Sequence, residues 1–138
     1  MSPAEKQQQL IARYGLIEDF HERLALLVER VRTLAPLPES ERCDRNRVQG
    51  CASRVWLVAE LAGDVCRFKI DADSTLVRGL TALICELYDG ASPAAICAHE
   101  PTLLEALHLT DHLSPTRRHG LQRVSGAIHN FAAGCLAR

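Results

Sequence analysis

The chain has 138 residues, 47% of them apolar, and its 16 basic and 17 acidic residues leave a formal net charge of −1. That is the length of one domain, 1–138, with apolar residues enough for a single core that must be mostly aliphatic, because aromatics make up only 4%. A near-neutral charge with three Phe, two Tyr and one Trp supplies neither a pull toward nucleic acid or an anionic membrane nor a set of base-stacking rings.

The N-terminal run Ser2–Gln7 lacks the basic start and apolar stretch of a signal peptide, and every apolar run falls far short of a membrane span. A cytoplasmic location is the expectation. The six cysteines, at positions 43, 51, 66, 85, 97 and 135, are then expected as free thiols. Their separations of 8, 15, 19, 12 and 38 residues contain no Cys-x-x-Cys pair, against a zinc ribbon or a thioredoxin-type site.

In chain order, Ser2-Pro3 caps a helix expected to run to about Tyr14 and break at Gly15. Ile17, Phe20, Leu24, Leu27, Val31 and Leu34 follow at spacings of 3, 4, 3, 4 and 3, one apolar stripe at helical period. Pro36 and Pro38 close that helix into a polar loop, Glu39 to Arg45. Val48-Gln49 reads as a short strand, Gly50-Cys51-Ala52 as a turn, and Arg54–Leu61 as a longer strand. Gly63-Asp64 turns the chain into Val65–Ala72, where Arg67 and Lys69 alternate with Cys66, Phe68 and Ile70.

Asp73 or Ser74 caps a third helix with Leu76, Val77, Leu80, Leu83, Ile84 and Leu87 inward and Gly79 permitting close packing. Cys85 falls beside that face and reads as structural, as does Cys66. Short helices are expected at Pro93–Cys97 and Pro101–Leu107. Ser114-Pro115 caps a long last helix with Leu121, Val124, Ile128, Phe131 and Cys135 on one stripe. The fold class is α+β: two N-terminal helices, a small three-stranded antiparallel sheet, and C-terminal helices packed on it.

The stretch Asn46 to Trp56 places Cys51 directly after Gly50, between Arg47 and Arg54. A thiol on a glycine turn between two cations is a candidate nucleophile, because cations favour the reactive thiolate. Other chemistries lack their companions. His108 and His112 are four apart but lie near a helix break with no third ligand beside them. A Cys–His hydrolase would need a base and an oxyanion hole, and no histidine sits in a recognisable signature. No glycine-rich phosphate loop is present. Exchange of sulfur between thiols needs only a thiolate, a partner sulfur and room to approach.

Asn46-Arg47-Val48-Gln49-Gly50-Cys51-Ala52-Ser53-Arg54-Val55-Trp56-Leu57 resembles the central motif of the SufE/CsdE sulfur-acceptor family. The blocks Asp71–Leu80 and Leu109–Leu121 match in the same order, so the resemblance covers nearly the whole chain. It implies a carrier and activator rather than a stand-alone enzyme, with a fold like that of IscU-type scaffolds. Its partner would be a pyridoxal-phosphate cysteine desulfurase of the SufS or CsdA kind. Sulfur would pass from the desulfurase's persulfide to Cys51, and on to a downstream acceptor or scaffold for iron–sulfur cluster assembly. No cofactor or metal of the chain's own is expected.

In the family the cysteine loop can be tucked or extended, and Gly50 suits such a hinge. Arg47, Arg54 and Arg117 are then candidates for contacting the partner, and Asp73 for holding the loop, with helix capping as its alternative role. His21 and Arg23 depart from the family's usual run in the second helix, and Cys43 falls outside the motif. The rival reading is an iron–sulfur scaffold of IscU-like fold.

Overall fold

A computed structural model describes all residues, 1–138. Six helices and one hairpin follow in the order α1 (Pro3–Gly15), α2 (Phe20–Arg32), β1 (Val55–Ala62), β2 (Val65–Ala72), α3 (Thr75–Tyr88), α4 (Pro93–Cys97), α5 (Leu103–Ala106) and α6 (Pro115–Leu136). Helix starts are written in the side chains. The hydroxyls of Ser2, Ser74, Ser92 and Ser114 each accept an N–H three residues on, and a proline opens α1, α4 and α6. Asp19 caps α2, so that helix begins at Phe20 and leaves Ile17 and Leu34, expected on its stripe, outside its ends. The helix expected from Pro101 is a single turn from Leu103.

Helix α3 is the centre of the fold. Leu80, Leu83, Ile84 and Leu87 are each at most 2% exposed, and a buried leucine or isoleucine contributes about 2 kcal/mol through apolar area removed from water. The β2 strand packs on one side of α3, while α1 and α2 pack on it from elsewhere. Leu27 and Val31 of α2 come within 3.4–3.7 Å of where a Cβ on Gly79 would sit, the close approach expected of that glycine. Helix α6 lies against α4, α3 and β1. In β2, Cys66 and Phe68 are buried and Arg67 and Lys69 exposed, as the alternation requires.

The sheet has two strands, joined through Gly63 in the left-handed region (φ +67°), and not the expected three. Val48 donates its N–H to Val55 O at 2.9 Å, and Arg47 bridges to Trp56, but pairing stops there. A 3-10 turn at Asp44–Asn46 and the left-handed Gly50 bend the chain away on both sides, leaving too few residues to make a strand.

Beyond β2, the loop after α3 covers the hairpin's outer edge. Cys66 N donates to Ala91 O, Gly90 N to Cys66 O, and Phe68 N to the Asp89 carboxylate, each at 2.8–2.9 Å. No helix is long and apolar enough to cross a membrane.

Candidate functional site

Cys51 lies half-buried where the loop before β1 meets the first turns of α6. Gly50 has φ +86°, a backbone state that costs any other residue energy, and this bend turns the thiol inward. The Sγ donates weakly to Gly120 O at 3.3 Å. Gly120 is buried in α6 with its Cα face toward Cys51; a Cβ there would stand 3.6 Å from both the Cα and Sγ of Cys51. Beside the thiol is a cavity of about 20 Å³, lined among others by Ala52, Ser53, Thr81 and Arg117. That is room for about one water-sized atom and no more.

The electrostatics are mixed. Burial pushes the Cys51 thiol above its ordinary value, while the guanidinium groups of Arg123 and Arg47 pull it back down, and burial wins. In this position the thiol therefore stays protonated near neutral pH. Arg54 does not reach the thiol: its backbone N–H and Nε both donate to the Asp73 carboxylate at 3.2 Å, and its guanidinium lies 5.6 Å from the Trp56 ring centre. Asp73 N returns a bond to Arg54 O at 3.1 Å. Ser74 supplies the cap of α3, and the Asp73 carboxylate is engaged by Arg54 instead. Arg117 is exposed and borders the small cavity through its place in the first turn of α6.

Besides Gly120, two further residues absent from the sequence-based site complete it. Arg123, one turn after Gly120, packs over Gly50, where an added Cβ would meet its Nε at 3.0 Å, and its Nε donates to His119 Nε2 at 3.2 Å. Asp71 is 3% exposed. It accepts the Leu37 N–H at 3.1 Å and pairs with Arg78 at 3.2 Å and Arg42 at 3.7 Å. Arg42 in turn stacks over Trp56, 4.5 Å from the ring centre. This network fixes the start of the polar loop against the strand that follows the cysteine. The signal for Gly120 was a glycine inside a long helix; nothing local marks Arg123, which reaches Cys51 from 72 positions away.

The remaining candidates are occupied elsewhere. Cys66 and Cys85 are core residues, and burial raises both thiols, Cys66 to about 11. His108 bonds to Asp111 at 2.9 Å and His112 packs on Phe20, so the pair does not converge on one point. Arg23 is buried, donating to the carbonyls of Ile17 and Leu107 at 2.9 and 2.6 Å. Its departure from the family run is structural. Cys43 is a free thiol in the polar loop.

A family model described as SufE, an Fe-S metabolism associated domain, matches residues 8–132. An uncharacterized SufE-like protein of Rhizobium meliloti (strain 1021) is 33% identical over 138 aligned residues, covering 93% of this chain and 95% of that one. A second from Rhizobium etli is 33% identical over 129 residues, covering 90% and 87%. The solution structure of a hypothetical protein from Thermus thermophilus superposes over 100% of this chain and 99% of that chain, with a TM-score of 0.79 at 20% identity. That likeness is one of fold.

Proposed function

Since the chain belongs to the SufE family of Fe-S metabolism associated domains, we propose that it is a sulfur acceptor that takes persulfide sulfur from a pyridoxal-phosphate cysteine desulfurase onto Cys51. It raises the desulfurase's turnover and passes the sulfur on toward iron–sulfur cluster assembly. The observation that carries this reading is the placing of Cys51: a thiol on a left-handed glycine bend, whose one hydrogen bond is a weak one to Gly120 O.

The chemistry asks little more. The Cys51 thiolate attacks the terminal sulfur of the donor's persulfide; an Sγ–S bond forms, the donor's S–S bond breaks, and the donor's thiolate leaves with the electron pair. In its tucked position the thiol is protonated and meets a cavity of about 20 Å³, too small for a partner's side chain. Exchange therefore requires the loop to swing outward, which relieves burial, the cause of the raised pKa. Gly50 supplies the bend, and Ala52 and Ser53 are small enough to pass over the body. Loop exposure and thiol ionisation are then one event.

The scaffold reading needs several ligands at one point, whereas no group of three or more His, Cys, Asp or Glu comes together.

Mixing the chain with a cysteine desulfurase and L-cysteine, then reading intact mass after gentle alkylation, tests the proposal. One added sulfur atom per chain is expected, absent from Cys51→Ser, together with faster desulfurase turnover. An adduct undiminished in Cys51→Ser overturns the site, and unchanged turnover with the wild-type chain overturns the function.

A further inference from the structure

A cleft of about 570 Å³, two residues from Cys51 in the chain at Gln49, runs between the 45–49 segment and one face of α6. Three arginines line it: Arg45, Arg47 and Arg123. No aspartate or glutamate lines it, and none of these three arginines has a carboxylate partner. Elsewhere Arg13, Arg30, Arg32, Arg42, Arg54, Arg67 and Arg78 do have one, while Arg23, Arg117, Arg118 and Arg138 do not, and no two of those four line one cleft with a third. In a chain of net charge −1, this concentration of unneutralised cations is local and not a reflection of composition.

The shape narrows the ligand. Along α6 the lining runs from His119 to Asn130, a rise of about 16 Å at 1.5 Å per residue. That matches about five residues of extended chain. Gly126 and Ala127 keep this wall low, so a backbone can come close, and the exposed amides of Gln49, Gln122 and Asn130 present donors and acceptors to a peptide. The only ring in the lining is the imidazole of His119, which offers no platform for a nucleobase.

We propose that this cleft binds an extended acidic peptide segment of the sulfur donor, laying it along α6 so that it leads to Cys51. The inference rests on the sulfur-acceptor reading for the donor's identity, and on the cleft alone for the chemistry of the ligand. Arg47 and Arg123 would then have two partners in turn: the thiol in the resting chain and the donor's carboxylates in the complex.

The test uses the full chain as Cys51→Ser, which cannot exchange sulfur, and a fluorescein-labelled glutamate-rich octapeptide with a central serine, read by anisotropy. Binding is expected to weaken at least tenfold in R45Q/R47Q/R123Q, a loss of ~1.4 kcal/mol, and to fall as salt rises. A control of equal charge change on other faces, R13Q/R32Q/R138Q, is expected to bind as the parent does. Equal weakening in the control, equal binding of the glutamine version of the peptide, or displacement of the peptide by equimolar inorganic phosphate overturns an acidic-peptide cleft.

A second arm uses the Cys51 chain with a desulfurase. The concentration giving half-maximal stimulation is expected to rise at least tenfold in R45Q/R47Q/R123Q. If peptide binding is lost but this concentration is unchanged, the donor assignment falls and a recipient of sulfur is the occupant. Wild-type chain that takes up no sulfur sinks the acceptor reading, while the peptide arm still decides the cleft.

Discussion

The chain on the two sides of Cys51 is held in opposite ways. After the cysteine, Arg54 is locked to Asp73 by three bonds, Trp56 is buried beneath Arg42, and β1 enters the hairpin. Before it, Arg45, Arg47 and Gln49 are exposed, and the ties to the body are the buried Val48 side chain, its one bond to Val55 O and the bridge from Arg47 to Trp56. One flank is an anchor of ionic bonds, and the other is held by a single buried side chain and its short pairing. A loop that carries a thiol outward and back, as proposed above, would use this asymmetry, because a hinge requires one firmly fixed end.

The largest way to break the contrast is at Asp71. Its carboxylate is buried and meets two guanidinium groups and the Leu37 N–H. Asp71→Ala leaves those donors without an acceptor, and a loss of about 3 kcal/mol is expected, as for other broken buried pairs. Urea unfolding checks it through a lower midpoint with unchanged slope. A midpoint within error of the wild type would show that the anchor does not depend on this carboxylate.

A smaller and more selective break is Asp73→Asn. The Arg54 and Asp73 side chains are 58% and 35% exposed, so their pairing contributes less than about 1 kcal/mol to stability. Loosening the fixed flank should nevertheless free the thiol, raising the rate of Cys51 alkylation by iodoacetamide severalfold while the urea midpoint barely moves. Unaltered alkylation would mean that Gly120 and Gly50 alone set the loop's position.

The smallest effect sharpens the comparison between the loop thiol and the core ones. Cys66 is raised to about 11 by burial, against an ordinary value of 9.0. The folded chain thus holds that proton more tightly than the unfolded one. Its contribution is complete below the ordinary value and is lost as pH rises toward 11, because the unfolded chain sheds the proton first. Cys85 acts in the same direction. Stability should fall between about pH 9 and 11, less steeply in Cys66→Ala; an equal slope in that variant would place the loss elsewhere.

Much of this was open to reading from the residues. The Ser-Pro caps, the helical stripes and the alternation in Val65–Ala72 are local patterns, and the structure follows them. Cys51 on its glycine turn was equally legible, since the bend, the thiol and the neighbouring cation are adjacent in sequence. What could not be read was which arginine faces which anion. Arg47 and Arg54 flank the cysteine alike on paper, yet β1 directs Arg54 to Asp73, and only the docking of α6 brings Arg123 to Gly50. The third strand failed for a related reason. Residue type at Val48-Gln49 favours a strand, but the turns on both sides leave room for one bridge.

The covering of β2 by the loop after α3 has a further consequence. With the N–H groups of Cys66, Phe68 and Ala72 already donated to Ala91 O, Asp89 and Asp71, that strand offers a second chain little to pair with. Only β1 retains a pairing edge along its outer half. Sheet growth into a fibre requires a donor edge and an acceptor edge on every copy, whereas pairing through one edge closes after two. Movement of the Cys51 loop away from β1, as proposed above, would therefore lengthen a single edge without creating the second that a polymer needs.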